Sequence, residues 1–204
     1  EVTIDLLTDS GTSAMSAEQW AQIQRGDEAY AGSHSFLELE AEVRSLTGMN
    51  YIIPTHQGRA AERLLFEMLA SRRQPGGVAS IPNNSHFDTT RANLEAQGFV
   101  GLDFPCEEFF NMESDFPFKG NMHLGHLSDF LKRTPREQVP IGFLTLTNNS
   151  CGGQPVSLEN IRAVSKLYRD YKIPFFLDAC RFAENIAFIR RHEAPQKSPR
   201  ELAQ

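Results

Sequence analysis

Pro174-Phe175-Phe176-Leu177-Asp178 is a short apolar run closed by a carboxylate. A run of that kind reads as a strand buried on both faces. Upstream, Ile141-Gly142-Phe143-Leu144-Thr145-Leu146-Thr147 is the clearest strand in the sequence. Between the two, Ser157 stands where a helix N-cap belongs, and Leu158, Ile161, Val164 and Leu167 follow on one helical face. After Asp178, the spacing of Phe182, Ile186 and Ile189 predicts a further helix. Apolar strands alternating with helices predict an α/β fold, a mostly parallel sheet with helices on both faces. In such a sheet the ligand sits beyond the carboxyl ends of the strands.

The same alternation extends towards the N-terminus. Phe36, Leu39, Val43 and Leu46 keep helical spacing and Gly48 is placed to stop that helix. Tyr51-Ile52-Ile53 reads as a short buried strand, and Ala60, Leu64, Leu65, Met68 and Leu69 as a helix. A strand is expected over Val78–Ile81, a helix over Thr89–Gln97 ended by Gly98, and a strand over Phe99–Leu102. Pro105–Gly120, with four phenylalanines, two prolines and several acids, reads as an irregular, partner-facing excursion. Leu124, Leu127, Phe130 and Leu131 restore a helix. The stretch 194–204 has little apolar content and reads as a loop or chain end.

Composition narrows the function classes. The 204 residues carry 20 Lys+Arg against 26 Asp+Glu, and this acidic balance argues against a nucleic-acid or membrane-surface role. No apolar run approaches the ~20 residues of a membrane span, and the N-terminus lacks the layout of a secretory signal. Cys106, Cys151 and Cys180 form no CxxC or metal-ligand spacing, the usage expected of a reduced, cytoplasmic protein.

Three strand-end positions carry chemistry. Thr55-His56-Gln57-Gly58-Arg59 places a glycine, a helix start and a fixed positive charge together, which suits a phosphate. An ordinary turn with a surface arginine has the same look, and no Walker or GxGxxG pattern accompanies it. Asp178 is either the N-cap of the next helix or an ionised acid facing a protonated heterocycle nitrogen, with Arg181 one turn on. Asn149, before Cys151-Gly152-Gly153-Gln154-Pro155, is either a turn residue or a donor to a phenolic or carbonyl oxygen. Phe87, in Ser85-His86-Phe87-Asp88-Thr89-Thr90, is either core or a platform for a flat ring.

Five segments together resemble the tryptophanase/tyrosine phenol-lyase family. They are Thr8-Asp9-Ser10-Gly11-Thr12, Gly26-Asp27-Glu28-Ala29-Tyr30-Ala31-Gly32-Ser33, Pro54-Thr55-His56-Gln57-Gly58-Arg59, Gly152-Gly153-Gln154-Pro155-Val156-Ser157 and Asp178-Ala179-Cys180-Arg181-Phe182-Ala183-Glu184-Asn185. The order is the family's, from Thr8 to about His192. The resemblance implies a pyridoxal phosphate (PLP)-dependent β-eliminating lyase of the aspartate aminotransferase fold. Residues 1–34 would form an N-terminal, intersubunit arm and 35–193 part of the PLP-binding large domain. The assembly would be a homo-oligomer, a dimer or tetramer with shared sites.

Carried over residue by residue, the resemblance assigns Gln57, Gly58 and Arg59 to the PLP phosphate and Phe87 to the face of the ring. Asn149 would meet the ring hydroxyl, Asp178 the ring nitrogen, and Arg181 the same edge. Tyr30 would assist proton transfer to the leaving group, and Thr8 and Ser10 would lie near the substrate carboxylate. Gly11 and Glu28 would help bind potassium or another monovalent cation. Asp88 matches the tryptophanase form Phe-Asp-Thr-Thr, where tyrosine phenol-lyases carry threonine, and so favours an indole leaving group. Elimination from cysteine S-conjugates by a C–S lyase is the alternative.

One feature departs from the family. Its Schiff-base lysine lies in a Ser-x-Lys-Lys-Asp-like segment, and none of Lys119, Lys132, Lys166, Lys172 and Lys197 has that context. The expectation is that this chain is the N-terminal part of a longer enzyme. The other reading is a catalytically inactive binding or scaffold homologue.

Overall fold

The computed structural model describes residues 15–27, 32–73 and 77–204. The chain divides into two compact units, Glu1–Ile52 and Ile53–Gln204.

The first unit holds helices α1 (Ala17–Arg25) and α2 (His34–Thr47). A reciprocal capping box of Ser16 and Gln19 opens α1, and the Ser33 hydroxyl accepts from the Phe36 N–H to open α2. Gly48 ends α2 with φ +71°, a left-handed backbone that glycine adopts without strain. The Asp27 carboxylate accepts from the Ser35 hydroxyl and from the N–H groups of Ser35 and His34, and these bonds hold its carboxyl well below the usual range. No residue of α1 or α2 is buried.

The second unit is the α/β part. It runs α3 (Gly58–Ser71), β1 (Ala79–Asn83), α4 (Asp88–Ala96), β2 (Phe99–Asp103), α5 (Leu124–Arg133), β3 (Gly142–Thr145), α6 (Leu158–Asp170), β4 (Phe175–Asp178), α7 (Phe182–His192) and α8 (Pro199–Ala203). β1 pairs in parallel with β2, Ala79 opposite Phe99 through Asn83 opposite Asp103. β3 pairs in parallel with β4, Gly142 opposite Phe175 through Thr145 opposite Asp178.

The two strand pairs are joined by a side chain. Asn84 Oδ1 accepts from the Thr145 N–H (2.9 Å) and Asn84 Nδ2 donates to the Thr145 carbonyl (3.1 Å). Neighbouring Asn83 Nδ2 donates to Thr145 Oγ1 (3.0 Å). Two further buried asparagines repeat the device, since Asn160 binds both backbone groups of Met122 and Asn185 both of Val156. An amide offers one acceptor and one donor side by side, so it completes a backbone pair where no strand lies alongside.

Alternation along β3 feeds two cores. Phe143 packs with Phe66, Ile81, Leu94 and Phe99 on the α3–α4 side. Leu144 packs with Leu127, Leu131, Val164 and Tyr168 on the α5–α6 side. Tyr168 is fully buried against Gly142, and a Cβ at that glycine would fall inside the phenol ring. Gly142→Ala is therefore expected to lower stability by about 1–3 kcal/mol, read as a shifted urea midpoint.

Three expectations differ from what the structure shows. Tyr51–Ile53 is not a strand: Tyr51 is 89% and Ile53 80% exposed, and no described strand offers it a ladder. The stretch 194–204 is not loop throughout, because Ser198 and Glu201 form a capping box that starts α8 with Pro199 in its first turn. β4 is half-buried rather than fully buried, since only β3 pairs with it among the described residues. Pro105–Gly120 is irregular, with one 3-10 turn at Glu107–Phe110, yet Cys106 and Phe118 anchor it in the interior. No helix among the described residues is long and apolar enough to cross a membrane.

Candidate functional site

Parallel pairing of β3 with β4, together with the Asn84 bonds to Thr145, brings the C-terminal ends of β1, β3 and β4 to one side. Beyond β1 lie Ser85, His86 and Phe87, beyond β3 lie Thr147, Asn148 and Asn149, and β4 ends on Asp178. The Ser150 hydroxyl donates to the His86 carbonyl (2.9 Å), tying the β3 loop to the β1 loop. Arg181 Nη1 donates to Asn149 Oδ1 (2.6 Å), tying the β4 loop to the β3 loop. Phe87, Asn149, Asp178 and Arg181 are thus drawn to one place, as the sequence leads one to expect.

Asp178 does not cap the helix that follows it. Arg181 occupies the N-cap of α7, so the capping reading of Asp178 is set aside. Burial, with the Glu62 charge adding to it, pushes the Asp178 carboxyl above its ordinary range, against a smaller opposing bond from the Cys180 N–H. No lysine, arginine or histidine forms an ion pair with Asp178 among the described residues. A half-buried carboxylate in that position suits a cationic ligand.

Helix α3 reaches the same end of the sheet. Gln57 is its N-cap and makes no capping bond through its side chain. Gln57, Gly58 and Arg59 are exposed, and a Cβ at Gly58 would meet nothing within 4 Å. One turn on, Glu62 accepts from Thr90 Oγ1 (2.5 Å) and Asn93 Nδ2 (3.1 Å), fastening α3 to the helix that starts after Phe87. An uncapped helix start beside an arginine, with open space at the glycine, is a fitting seat for a phosphate.

Further observations bear on the fit of PLP. Among the described residues, Thr147 Oγ1, both amide atoms of Asn148 and His86 Nε2 are buried without partners, all in the loops beyond β1 and β3. Buried polar atoms are nearly always paired, so orphans gathered at one end of a sheet mark a place for a polar ligand or ordered water. Phe87 is 36% exposed at the N-cap of α4, an aromatic ring outside both cores. The arrangement offers a flat platform, a carboxylate in want of a cation and an anion seat, and these fit PLP.

Asp88 is exposed in the first turn of α4. Thr8, Ser10, Gly11, Glu28 and Tyr30 lie outside the described residues. The lysines stand elsewhere: Lys119 donates to the Asn111 and Met112 carbonyls, while Lys132 and Lys166 pair with acids on their own helices. Sequence reasoning passed over His86, Glu62, Ser150 and Asp103. Asp103 had a signal, since it closes an expected strand with a carboxylate just as Asp178 does.

Comparisons with known proteins agree with this geometry. The family model "Beta-eliminating lyase" matches residues 5–204. The chain is 52% identical over 193 residues to the tryptophanase of Salinibacter ruber, covering 95% of this chain and 40% of that protein. It is 46% identical over 198 residues to the tyrosine phenol-lyase of Nostoc punctiforme, covering 97% of this chain and 41% of that protein. The chain therefore spans about two fifths of the length of these relatives. Among solved structures, Plasmodium falciparum ornithine delta-aminotransferase superposes with a TM-score of 0.55 at 13% identity, over 87% of this chain and 42% of that one. That likeness concerns the fold alone, an aminotransferase-like α/β domain represented here in part.

Proposed function

The chain belongs to the beta-eliminating lyase family, and from that premise we propose that its protein is a tryptophanase-like, PLP-dependent lyase. It would release a leaving group from the β carbon of an amino acid to give pyruvate and ammonia. The observation that carries this reading is Asp178, a half-buried carboxylate with no cationic partner among the described residues, beside Phe87 and the Asn149–Arg181 pair. When bound, PLP supplies a protonated ring that accepts the electron pair left at Cα.

The chain's own residues bind and orient. Asp178 accepts the ring N–H and keeps that proton in place. Arg181 holds Asn149 by its oxygen, which leaves the Asn149 Nδ2–H groups for the ring hydroxyl side. Phe87 covers one face, and Gln57, Gly58, Arg59 and the start of α3 hold the phosphate. The Tyr30 phenol delivers a proton to the leaving group, Asp88 favours an indole leaving group, and Thr8 and Ser10 receive the substrate carboxylate. Gly11 and Glu28 contribute to a potassium or similar cation site. The Schiff-base lysine comes from polypeptide beyond this chain. The protein works in the cytoplasm as a dimer or tetramer, and the lack of any buried residue on α1 and α2 supports a packing partner for them.

The test uses the protein expressed from its complete gene. Added PLP is expected to give a visible absorption band, and tryptophan is expected to yield pyruvate faster than tyrosine or an S-alkyl cysteine. Pyruvate from the cysteine alone would refute the indole preference attributed to Asp88. A folded protein without the band would refute PLP dependence itself.

A further inference from the structure

Asp103 closes β2, one strand further out than the residues that surround Asp178. Its Oδ1 accepts from the His86 backbone N–H (2.9 Å) and from His86 Nδ1 (2.6 Å). Its Oδ2 accepts from Arg91 Nη2 (2.5 Å). Burial alone would raise the Asp103 carboxyl, but the two His86 bonds and the charges of His86 and Arg91 hold it below its ordinary value. Asp103 is therefore ionised at neutral pH, and its bonds to His86 and Arg91 are charge-assisted.

These bonds converge on Phe87. The peptide group preceding Phe87 is held at the His86 carbonyl by the Ser150 hydroxyl, and the peptide group before that one is held by Asp103 at the His86 N–H. The peptide group following Phe87 is held by the Arg91 N–H, which donates to the Phe87 carbonyl (2.9 Å). Arg91 is in turn gripped by Asp103. Asp103 thus grips the residue before Phe87 at its N–H and its ring, and grips the side chain of the residue whose N–H holds the Phe87 carbonyl. Gly101 of β2 makes room for this, because a Cβ there would lie 3.3 Å from both His86 Nδ1 and Arg91 Nη1.

The arrangement reaches from the core to the surface, since the His86 ring lies 6.4 Å from that of buried Phe143 while Phe87 is exposed. The His86 side chain has no exposure at all, and its Nε2 is buried without a partner among the described residues. Phe87, the residue it fixes, keeps its ring 36% exposed. A buried histidine, an ion pair and a third tie are spent on the orientation of an aromatic ring that packs in neither cluster. With both neighbouring peptide groups fixed, the ring keeps only its two side-chain torsions.

We infer that Asp103 is a positioning residue for the cofactor platform, acting through His86 and Arg91 to set where the Phe87 ring stands. The inference rests on the reading that Phe87 stacks on PLP. Loss of the carboxylate charge leaves the platform able to shift, so bound PLP is held less tightly and in a different chiral setting.

The test compares wild type with Asp103→Asn in the protein expressed from its complete gene. The readouts are PLP affinity, the visible circular dichroism of bound PLP, and the melting temperature without PLP. Asp103→Asn is expected to lower PLP affinity about 10- to 100-fold, a range taken by analogy from the loss of partners that orient metal ligands. Its dichroic band should change in amplitude or sign, which a merely structural loss of stability does not produce. Ser150→Ala, which loosens only the carbonyl tie, should shift the band less. Where Asp103→Asn does not accumulate as folded protein, His86→Gln is measured in its place with the same expectation. A folded variant with unchanged affinity and an unchanged band overturns the inference while leaving the PLP reading intact. A wild type that binds no PLP overturns both.

Discussion

Replacing Asp178 by asparagine is expected to cost the protein expressed from its complete gene about 100- to 1,000-fold in pyruvate formation, the range for removing a preorganised electrostatic partner. The same change is expected to raise the melting temperature of the PLP-free protein at neutral pH. Both outcomes come from one fact: Asp178 is a half-buried carboxylate without a cation beside it among the described residues. Burial comes first and the Glu62 charge second in lifting its pKa above the ordinary value. For a group raised on folding, the associated stability is fully present below the unfolded pKa and is lost as pH rises through the folded pKa. At pH 7 wild type therefore carries an ionised carboxylate that the fold disfavours, and an amide of equal size removes that cost. The advantage of Asp178→Asn should vanish as pH falls into the ordinary carboxylate range, where both side chains are neutral. Melting curves across pH, with a pyruvate assay at pH 8, check the two halves. Activity within threefold of wild type would remove Asp178 from the ring nitrogen.

Asn84→Ala is expected to destabilise the α/β unit by about 3 kcal/mol, since each buried backbone group left unpaired costs about 1–3 kcal/mol. Asn84 is fully buried, and its amide takes the Thr145 N–H and gives to the carbonyls of Thr145 and Gly120. Truncation leaves those groups without water or partner at the junction of the two strand pairs. Asn84→Asp should restore little, because a carboxylate keeps the acceptor but loses both donors. Urea unfolding with a constant m-value is the measurement, and a stability change under about 0.3 kcal/mol would show that β1 and β3 are joined without the Asn84 amide. Loss of PLP affinity should accompany the loss of stability, because Phe87 and Asn149 hang from the two strands that Asn84 connects.

Much of the fold was legible because its signals are local. Apolar runs at Ile141–Thr147 and Pro174–Leu177 needed no partner to be read as strands, and the caps at Ser157 and Gly48 stand where helix chemistry demands them. Tyr51–Ile53 misled for the same reason: three apolar residues read as a strand wherever they occur, but a strand forms only beside another. At 194–204, scarcity of apolar residues hid a helix that rests on the Ser198–Glu201 capping box instead. Among the candidate site residues, Asn149, Asp178 and Arg181 stand out in the sequence by their place at strand ends, and Phe87 as a flat ring near them. The asparagine clamps and the ties from Asp103 to His86 and Arg91 were not, because they join residues far apart in sequence through single side-chain atoms.

By itself the sequence determined the parallel α/β class and the family, and pointed to the strand ends proposed to bear the chemistry, since each depends on short-range pattern or on motif order. Only the tertiary structure decided that Asp178 caps no helix, that a buried amide joins β1 to β3, and that one carboxylate on β2 grips both His86 and Arg91. Burial and partner choice arise from contacts across the sheet, and no local spacing in the chain encodes which carboxylate will be left without a cation.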